Sequence, residues 1–187
     1  MMRRVYLDHA AATPLAPLVR AAMEPWQTKE FGNPGSLHLF GQRASAAVFG
    51  ARRDIARSIG ADYREIIFTG SATEANNLAL RGALRGARDQ GRGTRKGKPR
   101  IIVSAIEHES VLETARDLER DGVEVKILPV SRGGIANVGE LPRLLNSRTV
   151  LVSVMYANNE VGTIQPIVEI ARVIRDFKKA SNPAIQQ

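Results

Sequence analysis

The 187-residue sequence predicts a three-layer α/β fold, a mostly parallel sheet with helices on both faces. Three observations predict it. Short, near-continuous apolar runs such as Ile101-Ile102-Val103 and Val150-Leu151-Val152 suit strands buried on both sides. Segments with apolar residues three to four apart alternate with those runs, as crossover helices do. Glycines and small polar residues punctuate the junctions.

Taken in order, residues 14–28 open with Pro14 and Pro17, which suit a first helical turn, and form a short helix ending around Pro25-Trp26. Phe31-Gly32-Asn33-Pro34-Gly35-Ser36 is a loop. From Leu39 to Ile59 apolar residues keep helical spacing, and Gly60-Ala61-Asp62 closes the helix. Glu65-Ile66-Ile67-Phe68-Thr69 reads as a first strand, with a helix over about 73–87 after it. Further strands are expected at Ile101–Ile106, Val123–Leu128 and Val150–Met155. Helices are expected over about 110–121, 140–145 and 166–179. Strand order is not legible from one sequence.

Composition narrows the class. Apolar residues make up 43% and charged residues 25%, enough for a buried core. No run approaches the ~18 apolar residues of a membrane span. Arg3, Arg4 and Asp8 interrupt the place where a signal peptide needs an apolar stretch. The chain is expected to be soluble and cytoplasmic, with no membrane partner. It has no cysteine, which excludes disulfides, thiolate metal sites and a cysteine nucleophile within it. The formal net charge is +8, of which residues 81–100 supply +7; the remainder is 19 basic against 18 acidic residues. That basic segment has five glycines and no aromatic platform, so it reads as a solvated connector rather than a nucleic-acid site.

Three junctions could carry chemistry. Gly70-Ser71-Ala72-Thr73-Glu74 passes from strand to helix, where free N–H groups and the helix dipole suit a phosphate. The plainer reading is a helix cap by Ser71 or Thr73, with Glu74 placed for the dipole. His108 follows a strand, where parallel sheets bind ligands, and its neighbours Glu107 and Glu109 would favour an imidazolium; alone it reads as a capping or surface histidine. Three scattered histidines without cysteine make no metal site. Asn158-Asn159-Glu160 also follows a strand. Its amides can order the loop or point at a ligand's polar edge.

These junctions gain meaning from their order. Tyr6-Leu7-Asp8-His9-Ala10-Ala11, Phe31-Gly32-Asn33-Pro34, Glu65-Ile66-Ile67-Phe68-Thr69 with Ala72-Thr73-Glu74-Ala75-Asn76-Asn77-Leu78, Glu107-His108 and Asn158-Asn159-Glu160-Val161-Gly162 occur in series. Together they resemble the class V aminotransferase-fold enzymes, and within them the cysteine desulfurases of nitrogen-fixation and iron–sulfur-cluster type. The resemblance runs from about Val5 to Phe177 and covers about the first half of a family member. It implies a truncated large domain of the fold-type I pyridoxal 5'-phosphate (PLP) enzymes. By position, Ala72 and Thr73 match residues that hold the PLP phosphate. His108 matches the catalytic histidine stacked on the ring, and Asn159 the amide bonding its phenolic oxygen. Asn33 and His38 match a stretch near the substrate region. The chain then divides into an N-terminal segment (1–15), a partial PLP-binding large domain (16–180) and a loose tail (181–187).

The family reaction that the resemblance implies takes L-cysteine to L-alanine and passes sulfur to a carrier cysteine. It serves iron–sulfur cluster assembly or tRNA thiolation. Its implied partners are a dimer mate, a sulfur-acceptor scaffold protein, and here a complementary C-terminal half or second chain. The family's ring-nitrogen aspartate, Schiff-base lysine and persulfide cysteine have no match in this chain. It is therefore expected to be incompetent alone; Lys178 and Lys179 lie in the wrong context for the lysine. A glycine usually precedes the alanine that Ala72 matches, and here Ser71 stands there instead. Other readings are a selenocysteine lyase or another class V PLP enzyme, a non-catalytic scaffold subunit, and a basic nucleic-acid binder.

Overall fold

The structure, a computed structural model, describes residues 4–89 and 97–181. It divides into two units, Met1–Phe68 and Thr69–Gln187. The centre of the basic run and all of the tail but Ser181 lie outside the described residues.

In the first unit, α1 (Pro17–Thr28) starts at a proline, as its missing N–H allows, and runs past Pro25 to Thr28. The Thr28 hydroxyl donates to the Glu24 carbonyl at 2.8 Å, supporting the last turn. The long α2 spans Leu39–Ile59 as its periodicity predicts. His38 Nδ1 accepts from the Gly41 N–H at its start. Gly60 ends it in the left-handed conformation, φ 67°, which a side chain rarely adopts. Asn33 Oδ1 accepts from the Gly35 N–H at 2.8 Å, so that side chain shapes its own turn.

The strand expected at Glu65–Thr69 does not form. Asp62 and Glu65 instead cap a 3-10 turn over Tyr63–Glu65, and Ile66 continues in extended backbone, φ −89° and ψ 123°. Extended residues become a strand only with a neighbour for their N–H and C=O groups, and residues 66–69 pair with no strand among the described residues. Ile67 is 67% exposed. An apolar run predicts burial and not the partner that makes a ladder.

The second unit begins with α3 (Ala72–Asp89) and continues β1 (Arg100–Ser104), α4 (Glu109–Arg120) and β2 (Glu124–Leu128). A 3-10 turn at Val138–Glu140 leads into α5 (Leu141–Leu144), β3 (Thr149–Ser153) and α6 (Ile167–Ser181). The three strands are parallel in the order β2-β1-β3, so β1 is central, with Ile102 opposite both Lys126 and Val152. Ile101, Ile102, Val103 and Ser104 are fully buried.

Alternation along β1 sorts its side chains into two cores. Ile101 and Val103 pack with Leu80 and Leu84 of α3 and Val111, Ala115 and Leu118 of α4. Ile102 packs with Leu128, Ala136, Leu141, Leu145 and Ile170 on the other face. Helices thus cover both faces of a parallel sheet, the expected three layers, with three strands where four were expected.

An ion-pair cluster closes the sheet where the strands begin. Glu124 accepts from Arg100 at 2.6 Å and lies 3.3 Å from Lys126 Nζ and 2.9 Å from Arg148. The Arg100 hydrogen bond first, then Lys126 and the charge of Arg148, lower the Glu124 pKa from 4.5 to about 2, against the effect of burial. Arg81, also from the basic run, pairs with Asp117 of α4 and with Asp121 just after it. Part of the expected connector is therefore ordinary helix and strand.

Candidate functional site

The connections make a crevice before any side chain is considered. The chain leaves β1 through α4 on one face of the sheet and leaves β3 through α6 on the other. Adjacent parallel strands whose connections diverge open a crevice beyond their carboxyl ends. A cavity of about 620 Å³ lies there. Residues 105–109 after β1, 130–134 after β2 and 158–163 after β3 form most of its wall. That size suits a small cofactor or substrate.

Buried polar side chains hold these loops in place. Glu107, 8% exposed, accepts at Oε1 from the Ser104 hydroxyl and the Met155 N–H, both at 2.6 Å. Its Oε2 accepts from the Ser153 hydroxyl at 3.2 Å. Gln165, 3% exposed, accepts from the Ala136 N–H at 2.8 Å and donates to the Gly134 carbonyl at 2.9 Å and the Thr163 hydroxyl at 3.1 Å. Gly134 sits at φ 72°, a conformation glycine adopts readily, and its carbonyl accepts from both the Thr163 hydroxyl and the Gln165 amide.

Asn158 orders the last loop. Its amide donates to the Ile106 carbonyl at 3.1 Å, and its oxygen accepts from the Glu160 and Val161 N–H groups at 2.9 Å. The loop-forming role considered for the asparagine pair belongs to Asn158. The neighbouring Asn159 amide lines the cavity, exposed, with no hydrogen-bond partner among the described residues.

His108 lines the same cavity and caps α4: its Nδ1 accepts from the Ser110 N–H at 3.0 Å and lies 2.8 Å from the Ser110 hydroxyl. The carboxylates on either side of His108 in sequence have partners of their own. Glu107 is turned inward to Ser104 and Met155, and Glu109 lies 3.9 Å from Arg116. A buried carboxylate such as Glu107 goes where donors satisfy it.

Ala72 and Thr73 begin α3 and are not in the cavity wall. The cap of this helix is Ser71, whose hydroxyl accepts from the Glu74 N–H at 3.1 Å, while Glu74 accepts from the Gly70 N–H at 2.7 Å. No non-glycine residue has a positive φ among the described residues, so Ser71 beside Ala72 takes a backbone conformation open to any side chain. The Ala72 and Thr73 N–H groups and the Thr73 hydroxyl have no partner among the described residues. Asn76, one turn on, donates to the Ser110 hydroxyl at 2.8 Å and so joins α3 to the His108 turn.

The arrangement offers three kinds of contact. Among the described residues there are donors without partners at a helix N-terminus, an exposed imidazole, and an amide without a partner in the cavity wall. Sequence reasoning missed Glu107, Gln165, Asn76 and Ser110 as supports. Only Ser110, two residues after a capping histidine, carried a local signal.

Residues 5–181 match the aminotransferase class-V family. The chain belongs to that family. It is 44% identical over 177 residues to a protein named cysteine desulfurase IscS from Dictyoglomus turgidum, covering 95% of this chain and 43% of that one. It is also 44% identical to a putative cysteine desulfurase IscS 1 from Bacillus subtilis, with 95% and 45% covered. Among solved structures, a NifS-like protein superposes with TM-score 0.85 at 37% identity, covering 93% of this chain and 46% of the other. DndA from Streptomyces lividans superposes with TM-score 0.75 at 42% identity, with 91% and 46% covered. The class-V chain thus spans about half the length of the relatives it matches, and it has the α/β architecture of the NifS-like structure.

Proposed function

We propose that this chain is the N-terminal part of a PLP-dependent cysteine desulfurase and supplies one wall of its cofactor site. The observation that carries the reading is the cavity beyond β1 and β3. It presents His108 and the unpaired Asn159 amide together, at positions that match family site residues, in a chain 44% identical to proteins named cysteine desulfurase.

The free donors fit this cofactor. A phosphate dianion takes N–H and O–H donors with a helix dipole behind them, which Ala72 and Thr73 offer. An aromatic ring takes an imidazole face, which His108 offers, and a phenolic oxygen takes an amide donor, which Asn159 offers. When bound, PLP supplies an electron sink for bond changes at an amino acid's α-carbon. The chain's own residues anchor, cover and orient. Glu107 and Gln165 keep the loops around the cavity at fixed spacing.

The substrate in this reading is cysteine, and sulfur passes to a cysteine outside this chain, which has none. A second part of the enzyme, a dimer mate and a sulfur-acceptor protein are the proposed partners. The lack of any cysteine also favours a second reading, a binding subunit without catalysis of its own.

A PLP titration followed by absorbance, with equilibrium dialysis, tests the cofactor site. Saturable binding that dialyses away and leaves no label after borohydride treatment is expected. Absence of saturable binding, or borohydride labelling of one specific lysine, would overturn the assignments.

A further inference from the structure

Which nitrogen His108 offers to the cavity follows from what its other nitrogen does. Nδ1 lies 3.0 Å from the Ser110 backbone nitrogen, and a backbone N–H can only donate. Nδ1 must therefore present its lone pair, and the neutral ring keeps its hydrogen on Nε2. The Ser110 hydroxyl, 2.8 Å from Nδ1, adds to this when its own hydrogen points at the ring. Asn76 arranges that orientation. Its amide donates to Ser110 Oγ at 2.8 Å, fills a lone pair there, and leaves the hydroxyl hydrogen for Nδ1. Thr114 braces the same turn by donating to the Ser110 carbonyl at 2.8 Å. Nε2 has no partner among the described residues, so its N–H is available to a ligand.

We propose that Asn76 and Ser110 are positioning residues that hold His108 in the Nε2–H tautomer, so that the ring meets a ligand in the cavity as a hydrogen-bond donor. The proposal deepens the PLP reading of the site and rests on it for the ligand's identity, but not for the tautomer. It also ties α3, which begins with Ala72 and Thr73, to the ring across 34 residues of sequence.

The test is long-range proton–nitrogen NMR of the imidazoles in the whole 187-residue chain, labelled with nitrogen-15 and free of cofactor. Alkaline buffer is used, where an imidazole with an ordinary pKa of ~6.5 is neutral. The three histidines are told apart with His9→Gln and His38→Gln. In the unsubstituted chain, Nδ1 of His108 is expected to have the shift of an unprotonated nitrogen and Nε2 that of an N–H. Ser110→Ala should lower the tautomer ratio roughly fivefold, the worth of one ordinary hydrogen bond, and Ser110→Thr should restore it. Asn76→Asp should move the ratio toward Nδ1–H, because a carboxylate takes the hydroxyl hydrogen and turns the Ser110 lone pair toward the ring. A protonated Nδ1 in the unsubstituted chain would overturn the proposal. So would His108 shifts unchanged in both Ser110→Ala and Asn76→Asp, with backbone spectra showing folded protein. Because no cofactor is present, failure here leaves the PLP reading standing, and a failed PLP titration leaves the tautomer standing.

Discussion

Glu107 accepts the backbone N–H of Met155 at 2.6 Å, so a carboxylate from the turn after β1 holds the chain as it leaves β3. The same oxygen takes the Ser104 hydroxyl. These bonds fix the distance between the loops that carry His108 and Asn159. They satisfy donors that would otherwise be starved of water.

Replacing Glu107 with leucine should therefore destabilise the second unit by about 3–5 kcal/mol. The Met155 N–H and two serine hydroxyls lose their acceptor, and an unmet buried donor costs ~1–3 kcal/mol. Glu107→Gln keeps one oxygen for Met155 and should lose less than half as much. Urea midpoints of the two variants check this; equal losses would show that the carboxylate's bonds do not matter.

Glu124 makes a prediction about pH. Its folded pKa, about 2 against an ordinary 4.5, means that the unfolded chain binds its proton first as pH falls. Its contribution is fully present above about 4.5 and is lost as pH drops toward 2. Side-chain exposure of 24% and solvent screening keep that contribution on the order of 1–2 kcal/mol. Glu124→Gln should flatten the fall of stability between those pH values and lower stability at neutral pH, where Arg100 would lose its carboxylate partner and keep only the Leu144 carbonyl. An unchanged acid limb in denaturant titrations would assign the acid sensitivity elsewhere.

Elements with clear apolar periodicity and a local stop signal were legible in the sequence. The helix Leu39–Ile59 is an example, with apolar residues at helical spacing along it and Gly60 after it. The helix–strand alternation and the covering of both sheet faces also followed from pattern alone. The strand at Glu65–Thr69 did not, since a ladder needs a partner that an apolar run does not specify. For the site, the positions of His108 and Asn159 at strand ends were readable. What supports them was not. Asn76 to Ser110 and Glu107 to Met155 join residues 34 and 48 apart, and no local pattern records such pairs.

The first unit predicts association. No residue of α1 is buried, and Leu18, Ile59 and Phe49 are 86%, 67% and 48% exposed. Apolar surface on this scale marks a contact surface or an aggregation risk. Light scattering after gel filtration should show dimers or larger species that bind a hydrophobic dye. A monodisperse monomer at high concentration, with little dye binding, would count against it.

The proposed cofactor contacts differ in strength, and that order can be measured. The Thr73 hydroxyl and two neighbouring N–H groups have no partner among the described residues, so toward a phosphate dianion the hydroxyl is expected to make a charge-assisted hydrogen bond. Thr73→Val should weaken PLP binding by ~1.5–3 kcal/mol. His108→Ala removes stacking worth ~0.5–1.5 kcal/mol, and should cost less. Inorganic phosphate should compete with PLP in the unsubstituted chain and compete less well in Thr73→Val. His108→Ala should leave that competition unchanged, because its ring acts on the cofactor's aromatic part. Parallel titrations of the three proteins, each with and without phosphate, separate the two contacts. Equal PLP affinity in all three would mean that binding does not pass through Thr73 or His108. A larger loss for His108→Ala than for Thr73→Val would place the main anchor at the ring instead of the helix N-terminus.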